Sequence, residues 1–497
     1  MAERTEKPRL VAAPSARVYD AIVLGGSLGA AVAAALLARR GFRTLWAELD
    51  GPRGGYTSQG FLWPRDVLPL PPLRALPLLE DCLTELGLTT QVSRALRPLV
   101  PALQLVLPRH RLDLPLDDAR RLAECTREFG RHGARVARTV KELISAHAPT
   151  DAFLRSPEAL PAAGVLARWR TRRAVRSNPA LGSPSPLSDT EPAEHLLARA
   201  VPFLVYQDGA GPLAVRRTLG QLLAGPQRFP GGLGGLRDVL AHRFAELGGT
   251  LLTPEASPRQ SPTVLAIEHG RPVGLDIRGS EASHRAPFLL SALDGAELLA
   301  LLPPSLRTGK GEGLATPPPA RAILAVHWVL PEPVLPRGLG ELVLADDGEG
   351  PAPILLQVGP ARRAEARADE PSLRLVTAAA VAPPDVEPGR IRGPAEELER
   401  AMERLLPFAR AKVVARSLPQ LDAPTPRPGH LLHPLLPRPA RAGWDALGMP
   451  QDTPWPTLLR AGREVCPGLG LEGELLAALG AVARVQRASQ SRKVVGR

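Results

Sequence analysis

The chain is poor in aromatic residues, in cysteine and in lysine. Aromatics make up 4% of its 497 residues, so its cores must be built from Leu, Val and Ala. The three cysteines, Cys82, Cys125 and Cys466, lie far apart without a C-x-x-C pair. That pattern points away from a metal cluster or a disulfide framework and toward a reducing compartment. Only five lysines stand among 62 basic residues, so arginine carries the net charge of +12. Alongside abundant Ala, Pro, Gly and Leu, the arginine bias reads as genome composition. Apart from the C-terminal tail, no basic block is interleaved with aromatics, so a nucleic-acid partner is not expected. A basic surface is compatible with peripheral contact on an anionic inner membrane. No segment reads as a convincing signal peptide, and a cytoplasmic location is expected. At 44% apolar residues the chain should be globular, and its length allows two or three structural units.

What the chain does have is a strand–glycine turn–helix–strand pattern in Val18 to Asp50, VYDAIVLGGSLGAAVAAALLARRGFRTLWAELD. Val18 to Leu24 is an apolar run suited to a buried parallel strand. Gly25, Gly26, Ser27, Leu28, Gly29 and Ala30 form the turn, an alanine-rich helix follows to Arg40, and Gly41 closes it. A second apolar strand, Phe42 to Ala47, ends at Glu48. This is the order of a dinucleotide-binding βαβ unit. Gly25 permits the tight turn, and the amides opening the helix suit a diphosphate. Ala30 takes the third glycine position. Glu48, 23 residues after Gly25, suits ribose hydroxyls and would repel a 2′-phosphate, which favours FAD or NAD over NADP. Ser27 stands where the second glycine of G-x-G-x-x-G normally stands. The rival reading is a membrane span, because Ala21 to Ala38 is 18 residues without a charge. The early glycines and the strand and acid that follow weigh against it.

Further on, Gly54 and Gly55 form a glycine pair that reads equally as a ligand-side loop or a surface turn. A helix is expected at Leu73 to Gly87, a hairpin at Pro108 to Asp118, and one long helix from Ala119 to Ala146 with Leu122, Phe129, Val136, Val140 and Leu143 on its apolar face. Ser177 to Pro192 has the composition of a flexible loop. Glycines at 231–235 lead into a helix, Leu236 to Leu247, and strands are expected at Thr250 to Thr253, Val264 to Glu268, Val273 to Arg278 and Phe288 to Leu293. Apolar runs between Ala320 and Ala382 read as an antiparallel sheet. Pro394 to Leu406 reads as a helix, and Ser417 to Pro456 as irregular. Finally, a short strand leads to Gly462, and a glycine loop, Cys466 to Gly470, opens a terminal helix whose dipole could face an electron-rich group. The basic residues from Arg484 onward read as a solvated tail. His110, His242 and His327 are possible proton handlers, each more plausibly structural.

Four of these stretches resemble the FAD-dependent phytoene desaturase and flavin amine oxidase superfamily: DAIVLGGSLGAAVAAALLARRGFRTLWAE, the Gly54-Gly55 pair, FPGGLGGLRDVLAHRFAELGG, and PGLGLEGELLAALGAVA. Tyr56 stands where the family usually continues with Arg or Lys. The resemblance implies an α/β fold, a Rossmann-like FAD-binding domain with a discontinuous α+β substrate domain made of a helical insertion plus an antiparallel sheet. It implies an arm at 1–17, FAD-binding segments at 18–65, 226–300 and 457–487, a mostly helical insertion at 66–225, a sheet-bearing substrate domain at 301–456 and a basic tail at 488–497. It implies FAD as cofactor, with Gly25, Gly26, Ser27, Leu28, Gly29 and Ala30 at the diphosphate and Glu48 at the ribose. Gly54 and Gly55 would lie beside the cofactor, Val264 near the adenine, and Gly462, Gly470, Leu471, Glu472 and Gly473 against the flavin. The activity implied is hydride removal from a hydrophobic, polyene or isoprenoid-like substrate, with an electron acceptor that the sequence does not identify. The alternatives are an amine oxidase-like flavoenzyme, an NAD-dependent dehydrogenase, and a non-catalytic relative that keeps the scaffold for binding; Ser27 and Tyr56 motivate the last.

Overall fold

The structure, a computed structural model, describes residues 16–49, 55–156, 159–161, 164–178, 187, 191–253, 263–277, 283–350, 353–363, 372–384, 388–423, 433–438 and 446–495. Its organising layer is a five-stranded parallel sheet. The apolar run after Asp20 forms β1 (Ala21–Leu24), and the alanine-rich stretch forms helix α1 (Leu28–Arg39), which returns the chain to β2 (Thr44–Ala47). Three more strands arrive from distant parts of the chain: β3 (Thr250–Leu252), β4 (Leu289–Ser291) and β5 (Leu458–Arg460). The spatial order is β3-β2-β1-β4-β5, every pair parallel. The strand order therefore reverses at β1, and the crevice beyond the C-terminal ends of β1 and β4 is where such sheets hold ligands.

Both faces of this sheet are covered, which explains its uninterrupted apolar strands. Ala21 and Val23 of β1 face a helical layer, whereas Ile22 and Leu24 face a core shared with Leu265 and Leu275 of a four-stranded sheet. Helix α1 is buried from Leu28 to Ala38. It is wedged between α4 (Gly232–Glu246) and α5 (Leu471–Val495) and also meets α2 (Pro77–Leu86); the remaining helix used below, α3, spans Pro212–Leu223. A helix enclosed on all sides has no polar face to present, and alanine lets its neighbours approach closely. Residues 21–38 are thus strand, turn and helix, and among the described residues no helix is long and apolar enough to cross a membrane.

The second large layer is a mostly antiparallel sheet built on Arg321–Pro331, Leu342–Ala345, Ile354–Pro360 and Leu373–Ala382, extended by the hairpin Leu103–Leu107/His110–Leu114. One face packs on the helix Pro388–Leu405 and the other on the helical insertion. The expected long helix over Ala119–Ala146 is two helices, Asp118–Phe129 and Gly133–Ser145. The break is at Gly130, whose φ of +53° a helix cannot continue. The second helix then packs so closely on the first that a side chain at 133 would meet the Cys125 carbonyl at 2.4 Å. Leu122, expected on the apolar face, is exposed. The stretch expected to be irregular contains short strands at Ala415–Ser417 and Pro434–Pro437, and the basic C-terminal residues continue α5 to Val495. Most of the loop expected at Ser177 to Pro192 lies outside the described residues.

Candidate functional site: a dinucleotide-type cleft and an adjoining apolar cavity

The glycine turn has the shape its sequence calls for. Gly25 takes φ +107°, and a side chain there would press on the backbone of Ala292 and Leu293. Trp46 Nε1–H donates to the Gly25 carbonyl at 2.7 Å, locking the turn to β2. Ser27 is the N-cap of α1: its hydroxyl accepts from the Ala30 amide at 3.2 Å and its carbonyl from the Ala31 amide at 3.1 Å.

The next amide is also engaged within the chain. Gly29 N–H donates to Oε1 of Glu474 at 2.8 Å, across 445 residues of sequence. Glu474 lies in the first turn of α5, is 4% exposed, and fills the space above Gly29, where a Cβ would meet its Cγ at 2.7 Å. Glu48 sits at the end of β2 as expected, yet it is only 2% exposed. It forms an ion pair with Arg237 of α4 and accepts from the Thr253 hydroxyl at 3.3 Å. Arg237 Nε–H also donates to the Gly26 carbonyl at 3.0 Å, and its guanidinium lies over the Trp46 ring at 5.3 Å.

Around this turn lies a cleft of about 70 Å³ lined by Gly26, Ser27, Leu28, Leu471, Arg237 and Glu474, among others. Its far end holds Arg65, Arg463, Tyr206 and His433. His433 is buried with its ring 4.8 Å from that of Tyr206. Burial, assisted by Arg463, lowers its pKa to about 3, and Nε2–H donates to the Val205 carbonyl.

The other expected site residues are dispersed. Leu471 reaches the cleft, but its neighbour Glu472 turns away. Glu472 accepts from the Leu78 and Leu79 amides at 2.9 and 3.3 Å, capping α2, and meets Arg217 of α3 at 2.6 Å. Arg217 also reaches Asp151 at 3.0 Å. Burial pushes the Glu472 carboxyl up to about 7 against the pull of Arg217. Gly470 and Gly473 pack on the Leu204 and Cys466 carbonyls, and Gly462 on Ala292. Val264 is half-buried in the strand Thr263–Glu268. Gly55 opens the hairpin Gly55–Ser58/Phe61–Pro64, and Gly54 lies outside the described residues. Tyr56 packs with Phe61 and Trp63, and its hydroxyl lies 2.6 Å from the Ser417 hydroxyl. Of the histidines, His242 is exposed and His110 pairs with Glu128. His327 is buried between Thr377 and the Pro64 carbonyl, its pKa lowered by burial to about 4.

Sequence reading missed Glu474, Arg237, Arg65, Arg463 and His433. One signal was present: the terminal helix opens Glu472-Gly473-Glu474, and acids there can hold helix-start amides as an anionic ligand would.

A dinucleotide would draw on the amides that open α1, Gly29 among them, for its phosphate oxygens and on Glu48 for its ribose. As arranged, the residues do not fit that group. Glu474 holds the amide and would repel a diphosphate, Arg237 holds the acid, and the cleft has less than half the volume of a cavity that accepts benzene.

A second, larger cavity of about 200 Å³ adjoins the cleft and shares Asp66, Val67 and Leu233 with it. Its walls are mostly apolar, including Leu62, Leu70, Phe229 and Leu375, with the Arg228–Glu341 ion pair among its lining.

No family model matches the sequence, and no curated protein matches it. Solved structures match its fold. An oxidoreductase from Methanosarcina mazei superposes with a TM-score of 0.54 at 15% identity, covering 93% of this chain and all of its own. Cyclohexylamine oxidase from Brevibacterium oxydans gives 0.51 at 15% identity, with 95% and 99% covered. A putrescine oxidase variant gives 0.50 at 13% identity, with 97% and 100% covered. The chain therefore has the fold of FAD-dependent oxidoreductases, a parallel-sheet layer interleaved with a mostly antiparallel one.

Proposed function

We propose that this chain binds an apolar small molecule, of polyene or isoprenoid type, in the cavity between the antiparallel sheet and the start of α4. The observation that carries this reading is the cavity itself. At about 200 Å³ it exceeds the roughly 150 Å³ that admits one benzene-sized ligand, and apolar residues form most of its lining, with Asp66, Arg228, Glu341 and Arg362 among the polar ones. Its floor is rigid, because Gln357, Gly359, Leu375 and Thr377 come from adjacent, hydrogen-bonded strands. On this reading the flavoprotein scaffold serves binding, and function rests on the site that is present rather than on the fold.

A second reading is favoured by one observation, the wall shared by cavity and cleft. That adjacency would place a bound apolar molecule beside a dinucleotide, as a desaturase-like or amine oxidase-like FAD enzyme requires. It further requires Glu474 and Arg237 to leave the positions described above, and it requires an electron acceptor. An NAD-dependent dehydrogenase would meet the same two obstacles.

The test is calorimetric titration of the purified chain with prenol, a five-carbon isoprenoid of about the size of benzene. Gly359 lies on the same strand face as Gln357, whose side chain donates to the Val67 carbonyl on the cavity wall, and a Cβ at 359 would meet nothing within 4 Å. Saturable binding that Gly359→Trp abolishes is the expected result. No saturable binding, or binding indifferent to Gly359→Trp, would contradict the reading.

A further inference from the structure

We propose that the chain closes its dinucleotide cleft with its own side chains, Glu474 standing in for a diphosphate oxygen and Arg237 for the ribose hydroxyls. The closed cleft is then the working state of the protein, which excludes FAD, NAD and other adenine dinucleotides.

Three features on different elements agree. The first is at α1. Of its orphan amides, Gly29 and Ala30 go to Glu474 and to the Ser27 hydroxyl, and the Ala31 amide then makes the first intrahelical bond, to the Ser27 carbonyl. Orphan donors at a helix terminus attract anions because they lack partners; here the chain supplies the anion. The missing side chain at 29 is required by Glu474, whose Cγ lies where a Cβ would be. The second is the seating of α5. A side chain at 473 would meet the Cys466 carbonyl at 1.9 Å, so the helix start is pressed onto the preceding loop and Glu474 is directed at Gly29. The third is at β2. Arg237 joins Glu48, the Gly26 carbonyl and the Trp46 ring, which ties strand end, glycine turn and α4 together.

Two further carboxylates in the same stretch do the same work on other helices. Glu472 caps α2, and Glu464 accepts from the Gly295 amide at 2.8 Å where the helix Gly295–Leu301 begins. Residues 464–474 thus supply three acids to three helix starts. Glu474 is one member of a structural set, and a bound cofactor would have to displace it from that set.

The energetic sense follows from charge. A carboxylate on a buried backbone amide forms a charge-assisted hydrogen bond, stronger than one between neutral groups. A diphosphate would have to break it and then sit within a few ångströms of the displaced acid.

The proposal concerns the cleft and is independent of what fills the apolar cavity, so either can fail without the other. It is tested on the full chain by calorimetric titration with FAD and with ADP, and by amide hydrogen exchange at Gly29. Neither nucleotide is expected to bind saturably. Exchange at Gly29 is expected to rise at least tenfold in Glu474→Ala. If that variant does not fold, Glu474→Gln, which keeps the shape and loses the charge, should show a smaller rise in the same direction. Saturable binding of either nucleotide by the unmodified chain would overturn the proposal, as would Gly29 exchange that neither variant changes.

Discussion

The cleft and the cavity share a wall and differ in almost everything else. The cleft is small and charged, and its anchor groups are engaged by residues from the far end of the chain and from α4. The cavity is nearly three times larger, mostly apolar, and presents an open glycine position at 359. A polar ligand site can be closed by a few well-placed side chains, because each hydrogen bond made internally removes one offered to a ligand. An apolar site has no such directional partners and is closed only by filling its volume. The sheet order and the turn are those of a dinucleotide fold, while Glu48, Arg237 and Glu474 are buried against their own chain. Scaffold and site can therefore diverge separately.

The difference can be broken most forcefully at Arg237. Removing it by Arg237→Ala leaves Glu48 buried without its cation, and a loss of about 3–5 kcal/mol is expected in urea unfolding. A loss below about 1 kcal/mol would mean that the pair does not form. Acidity should act next. Burial raises the Glu464 and Glu472 carboxyls to about 7. The folded state therefore holds protons that the unfolded state releases near pH 4.5. The stability that these protonated carboxyls contribute is fully present below that value and is lost as pH rises through about 7, by up to about 3 kcal/mol each. Urea midpoints should fall from pH 5 to pH 8, and Glu472→Gln should flatten the slope. A midpoint that rises over this range would contradict it. Glu474→Ala comes third, with an expected loss of about 1.5–3 kcal/mol from the α1 cap. The smallest effect belongs to the cavity: Gly359→Trp should change stability by no more than about 1 kcal/mol while removing prenol binding.

The elements that sequence made legible are the ones set by short-range pattern. The strand–turn–helix–strand of Val18 to Asp50 and the strands of the antiparallel sheet follow from local periodicity and turn residues, whereas the hairpin expected at Pro108 to Asp118 pairs Leu103–Leu107 with His110–Leu114. The helix over Ala119–Ala146 was misread because Gly130 and Gly133 lie inside an otherwise helical pattern, and the fold there depends on packing between the two halves. The state of the cleft was illegible for a different reason. Glu474 meets Gly29 across 445 residues, and Arg237 meets the Gly26 carbonyl across 211. No periodicity links such partners. A glutamate after a strand reads the same whether a ribose or a guanidinium faces it.

The most direct measurement is the visible spectrum of the natively purified chain, taken before and after incubation with excess FAD and desalting. A self-closed cleft predicts a colourless protein on both occasions. A flavin band retained through desalting at one FAD per chain would contradict the account.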